Sequence, residues 1–286
     1  MKKTIGFLKK QPLITGMIGL LFVSLSVRYL GPRMVGELEA GAIRLALALS
    51  TAVFLYLISK EMAFEKCDNR TGYVLLVLLP TLIIPIIGFI AQFAAGIKDG
   101  IPLAKGWLPG IVIITFEYIC VGLLEEISAR GLINDAILYQ FRDSKMSTKS
   151  LFVTIAIADV IVFGAVHLIG SDFSTMSAVG FGLLKTISSG IGGLAYLFMY
   201  WKTRNLWAVA ISHGLFDYLI QLPSTVFQKA GEAASNTQDY VSMTGNLALA
   251  NLGTQLILTA VDIVILIWIW KWHMKDVDFE EIRKTW

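Results

Sequence analysis

Residues 107–141 read WLPGIVIITFEYICVGLLEEISARGLINDAILYQF. A bilayer core about 30 Å thick needs about 20 mostly apolar residues in a single helix, and this stretch supplies them with length to spare. Its interior also holds Glu117, Glu125, Glu126 and Arg130. A charge at the centre of a membrane helix costs about 3 kcal/mol on insertion scales, so each of these needs a partner or a task.

The rest of the chain has the same character. Of 286 residues, 56% are hydrophobic and only 16% charged, with a mean hydropathy of +0.69. Soluble domains hold about 25% charged residues, so the balance points to lipid. Seven further apolar segments, at about 12–29, 39–59, 72–95, 149–169, 174–200, 204–221 and 247–272, bring the expected count to about eight transmembrane helices. The expected fold is all-α and polytopic, a single transmembrane domain over 1–286, with one long polar connection at about 222–246. The basic N-terminus followed by an apolar run shows no small-x-small cleavage site before Arg28 and reads as a retained first helix. Two cysteines, Cys67 and Cys120, suggest neither a disulfide framework nor a thiolate zinc site. The net charge of +3 is spread over loops, so no nucleic-acid partner is expected.

Orientation follows from lysine and arginine. With the N-terminus inside, sixteen of them fall at 2–10, 60–70, 142–149, 202–204 and 271–284. Five fall on the other side: Arg28, Arg33, Lys98, Lys105 and Lys229. This bias predicts a multi-pass plasma-membrane protein with both termini in the cytoplasm.

The ionisable residues within the apolar segments are unequal in information. Glu126 and Arg130 are four apart, hence neighbours on one helix face, and a salt bridge between them leaves Glu125 unpaired. An unpaired carboxylate among apolar helices suits a general base; the plainer reading is that all three residues tie helices together. His167 and His213, two of the three histidines, lie on separate spans, and Asp217 follows His213 by one turn, where it orients the ring or itself lines a cavity. At 1.5 Å per residue, Glu125 and His167 both lie about 24–27 Å from the 142–149 hairpin tip, and His213 about 14 Å from the turn at Arg204. The levels meet if that hairpin projects about 10 Å into the cytoplasm, with the pocket then nearer the cytoplasmic side. Glu125 and His167 would activate water there and His213 would donate to the oxyanion. Glu125, His167, His213 and Asp217 also form a plausible zinc set; a divalent metal fits the residue types, although no cofactor is favoured. Arg44, Lys185 and Asp262 read as pairing or snorkelling residues, Asp159 as structural or water-lining, and His273 as interfacial. Glycines 180, 182, 190, 192 and 193 mark the sixth segment as a close-packing helix.

Three blocks stand in order between 121 and 221: Glu125-Glu126-x-x-x-Arg130, Phe163-x-x-x-His167 and His213-x-x-x-Asp217. They resemble the EExxxR, FxxxH and HxxxN/D blocks of the CAAX-processing and bacteriocin-processing protease family (CPBP or ABI), which includes the type II CAAX prenyl-protein endopeptidases. The family core would occupy 107–221. The resemblance implies about eight helices around a conical cavity open toward the cytoplasm. It also implies Glu125 and His167 on the water, His213 and Asp217 near the oxyanion, and Glu126, Arg130 and Phe163 in support. The prenyl-protein endopeptidases have Asn where this chain has Asp217. An amide donates to an oxyanion and an ionised carboxylate repels it, so Asp217 is either protonated or used differently.

Three functions compete. An intramembrane endopeptidase would cleave a membrane-anchored or prenylated peptide or protein. A non-proteolytic membrane regulator, bacteriocin-immunity or cell-surface scaffold protein of the same family would need the helices without the chemistry. A proton-coupled transporter would call for inverted repeats or paired broken helices, and neither is evident.

Overall fold

The computed structural model describes residues 2–31, 36–60, 70–168, 175–228 and 246–286. Pro32, Arg33, Lys66, Cys67, Gly170, Lys229 and most of the polar 222–246 connection fall outside the described residues. The described residues form helices throughout, apart from short turns and one isolated bridge between Leu103 and Phe227.

A short basic helix α1 (Lys2–Lys10) leads into α2 (Pro12–Leu30), whose first turn carries Pro12, where no helical N–H bond is lost. α3 (Glu37–Ser59) returns across the bundle. The third span breaks at Pro80, with α4 (Thr71–Leu78), a tighter 3-10 turn (Leu79–Leu82) and α5 (Ile83–Lys98). Residues 107–141 are one continuous helical rod in three parts: α6 (Trp107–Glu126), a π-helical segment (Ile127–Ile133) and α7 (Asn134–Phe141). α8 (Thr148–Val166) starts on Ser147, whose hydroxyl accepts the Ser150 amide, a cap that satisfies one orphan donor of the first turn. α9 (Met176–Thr203) is capped likewise by Thr175, and α10 (Leu206–Val226) by Asn205. α11 (Asn246–His273) and the short α12 (Phe279–Thr285) complete the chain.

Among the described residues, seven helical stretches are long and apolar enough to cross a membrane. The chain is an all-α, multi-pass membrane protein. The eighth sequence segment is also a helix, α10, running on through Pro223 to Val226 instead of ending near 221. It falls outside the seven because His213, Asp217 and Gln221 interrupt its hydropathy, and it packs closely along α6 and α5. Outward faces of the other spans present Met17, Leu21, Leu49, Leu76, Ile87, Ile161 and Val264, each more than half exposed, as a lipid-facing belt.

One end of the bundle is tied down heavily. Arg283 of α12 donates to the carbonyls of Arg142, Ser144 and Met146, Arg142 donates to the Trp286 carbonyl, and Lys202 pairs with Asp276. Tyr73 bonds His273 at 2.9 Å, so His273 anchors α4 to α11 at that same end. Inside it, the fully buried Arg204–Asp135 pair at 3.2 Å sits beside Asn134, which accepts from the Trp201 indole at 2.7 Å. Arg204 adopts a left-handed φ of 48°, turning the chain from α9 into α10.

Candidate active site

Two glycines set the central contact. A Cβ on Gly122 of α6 would lie 2.2 Å from the Ala210 carbonyl oxygen, and one on Gly214 of α10 would lie 2.4 Å from that of Tyr118. Backbone therefore meets backbone, as at small-residue crossings in membranes. Gly122 lies one turn before Glu126, and Gly214 is the neighbour of His213. The close crossing puts Glu126 Oε1 2.6 Å from His213 Nδ1. We expect Gly122→Ala to force these helices apart and lower stability by about 1–3 kcal/mol, with activity falling alongside. Gly180→Ala, where nothing lies within 4 Å, should leave both unchanged. Thermal melts of the two purified variants compare them directly.

The other Glu126 oxygen is 3.2 Å from Arg130 Nε, with both side chains fully buried. The contact is electrostatic, since neither atom has an aligned hydrogen-bond partner among the described residues. Arg130 sits in the π segment and reaches two more helices. Its Nη2 donates to the Gly193 carbonyl of α9 at 2.6 Å and lies 3.8 Å from Asp159 of α8. Asp159 is thus a partner of Arg130 in the structural cluster. Gly193 leaves room for this, because a Cβ there would lie 2.4 Å from Nη2. The guanidinium also lies 4.2 Å above the Phe163 ring, within cation–π range.

Phe163 joins the two histidines. Its carbonyl is 2.7 Å from His167 Nδ1, and its ring meets both imidazoles edge-on, with centroids 4.9 Å from His167 and 5.8 Å from His213. On the opposite side, Tyr196 stacks on His213 at 5.1 Å. With Nδ1 of His213 held by Glu126, its Nε2 faces Glu125 Oε2 at 3.6 Å and Asp217 Oδ2 at 3.8 Å. The ring is oriented by Glu126, where the sequence had offered Asp217 for that task.

A cavity of about 190 Å³ opens beside this cluster. Glu125, Ser128, Phe163 and His167 line it, together with Arg44 of α3 and an apolar wall from α2 and α8. Glu125 Oε2 is buried and makes no hydrogen bond among the described residues, lying 3.6 Å from His213 Nε2, while the side chain as a whole is 30% exposed. His213 and Asp217 are not among the lining residues, and they reach the cavity by way of Glu125. Arg44 pairs with Glu117, which neutralises both charges at the cavity wall. Asp262 lies against Gly192, at the α9–α11 contact.

Sequence reasoning brought Glu125, Glu126, Arg130, Phe163, His167, His213 and Asp217 to one place. It missed Tyr196, Ser128 and the place of Arg44 in the cavity, and it missed the π turn. Tyr196 and Ser128 carry no charge to mark them in an apolar helix, and no local pattern in 127–133 announces the wider turn. Such turns recur at functional sites, and this one immediately follows the Glu pair.

Residues 106–219 match the family described as Type II CAAX prenyl endopeptidase Rce1-like. The chain carries an Rce1-like segment. It runs from the start of α6 into α10 and contains every member of the three motif blocks. No curated protein and no solved structure matches the chain.

The donors of the cluster bear on whether it fits a metal ion. Among the described residues, no three His, Cys, Asp or Glu side chains converge on a point that could hold one. Both Nδ1 atoms are already committed, His213 to Glu126 and His167 to a backbone carbonyl.

Proposed function

We propose that the protein is an intramembrane endopeptidase that hydrolyses a peptide bond of a membrane-associated peptide, with Glu125 as the general base. The single observation that carries this is Glu125 itself, which lines a cavity shared with His167 and has its Oε2 3.6 Å from His213 Nε2. Water held between Glu125 and His167 loses a proton to Glu125 as it attacks the carbonyl carbon. In its imidazolium form His213 donates Nδ1–H to Glu126 and directs Nε2–H toward the oxyanion that forms. Asp217 acts through that ring, 3.8 Å away. The protonated Glu125 then returns its proton to the leaving amine. Glu126, Arg130 and Phe163 hold the histidines in place. The lysine and arginine bias supports a plasma-membrane protein with both termini cytoplasmic.

The test uses purified protein and a pool of membrane-anchored and prenylated peptides, with and without a chelator, read by mass spectrometry. Cleavage that survives the chelator is the expected result. Abolition by chelator would overturn the metal-independent chemistry. No cleavage of any peptide, from protein that still rescues a deletion strain, would replace the protease reading with a scaffold.

A further inference from the structure

We infer that Tyr196 is a positioning residue of the proposed reaction, and that its ring fixes the plane of the His213 imidazole. The role rests on the protease reading; the contact between the two rings does not. His213 has one short bond, between Nδ1 and Glu126 Oε1 at 2.6 Å. A bond at one corner of a ring leaves the ring free to roll about that corner. A roll carries Nε2 away from Glu125 Oε2, 3.6 Å off, and with it the donor aimed at the oxyanion.

Tyr196 opposes the roll. Its ring lies 16° from parallel to the imidazole, with centroids 5.1 Å apart, within the range of offset stacking. Phe163 meets the same imidazole at 67° and 5.8 Å. A stacked ring and an edge-on ring resist different tilts, so together they leave the imidazole one plane. Tyr196 follows Gly193 by three residues, hence on the same face of α9, and the Gly193 carbonyl holds Arg130 at 2.6 Å. One face of α9 therefore serves both the guanidinium and the imidazole.

The tether of Tyr196 comes from another span. Its hydroxyl meets that of Thr81, in the 3-10 turn that contains Pro80. Thr81 gives its own proton to the Leu78 carbonyl at 2.6 Å, so its oxygen accepts from the tyrosine. Both residues are buried. Such turns inside a helix often mark functional hinges, and this one lies against α10, the helix of His213. The break in the third span thus has a place at the site, although none of its residues is charged.

Three variants test the role: Tyr196→Leu, Tyr196→Phe and Thr81→Val. A misplaced donor costs only in the transition state, so Tyr196→Leu should lower kcat for a cleaved membrane peptide about 10–100-fold with KM unchanged. Tyr196→Phe and Thr81→Val keep the ring and lose its tether, and both should retain most of the native kcat. A second readout needs no turnover. With the three histidines isotope-labelled at Cε1, the His213 resonance is identified by its loss in His213→Gln. It should leave its ring-current position in Tyr196→Leu and keep it in Tyr196→Phe, while His273, bonded to Tyr73, should not move. Native kcat in Tyr196→Leu, or an unmoved His213 resonance, overturns the inference. So does a Tyr196→Phe variant as slow as Tyr196→Leu, which would assign the role to the hydroxyl. If Tyr196→Leu fails to accumulate, Tyr196→Met fills the space with a flexible side chain that cannot stack. Protein that cleaves no peptide sinks the protease reading, and the His213 resonance still decides whether Tyr196 holds the ring.

Discussion

Glu125→Gln should lower the turnover of a membrane peptide by about 10²–10⁴-fold, the usual contribution of a positioned general base. The amide has almost the shape of the carboxylate but cannot take a proton from water. Its neighbours should hold still. His213 stays bonded to Glu126 at 2.6 Å, and Glu126 stays beside Arg130. The Glu125 side chain is 30% exposed, whereas that of Glu126 is fully buried, so its replacement disturbs little packing. The variant should therefore melt at the native temperature while losing the reaction, and both readings come from one purified sample. A variant that cleaves at the native rate would remove Glu125 from the chemistry. Glu126→Gln makes the contrast, because Arg130 and His213 both depend on that carboxylate. It should melt lower as well as react slower.

These two adjacent glutamates show how far the sequence reaches. Spacing of four residues puts Glu126 and Arg130 on one helix face, and the structure has them 3.2 Å apart. Helical periodicity settles such neighbours because they share one backbone. It says nothing about how one helix is turned against another. The bond from Glu126 to His213 spans 87 residues and depends on the Gly122–Gly214 crossing, which no local pattern specifies. Long apolar runs marked the spans clearly, because a bilayer allows few alternatives to a helix of about 20 residues. α10 shows the limit of hydropathy. The polar residues that give it a place in the site also weaken its membrane signal. Depth was harder still, since counting residues from a turn cannot reveal how far that turn stands from the membrane.

Arg130→Leu should produce the largest loss of stability, about 3–5 kcal/mol, as when one partner of a buried ion pair is removed. Leucine fills much of the space but strands Asp159 and leaves Glu126 only its bond to His213, with side chains 1% and 0% exposed. The Gly193 carbonyl also loses its donor. Since the guanidinium joins α6, α8 and α9 through the π segment, the melting temperature of the detergent-purified protein should fall sharply. Peptide cleavage should fall with it, because Phe163 loses the cation above its ring and carries the carbonyl that fixes His167. Arg130→Lys should lie between, for a single ammonium cannot reach both carboxylates and the carbonyl together. The double variant Arg130→Leu/Asp159→Asn separates the causes. If the stranded charge is what destabilises the protein, removing the Asp159 carboxylate recovers part of the loss. Lost packing alone would leave the double variant no better than the single one. A single variant that melts at the native temperature would mean that the three helices are held by their glycine crossings, with Arg130 serving only to orient Glu126.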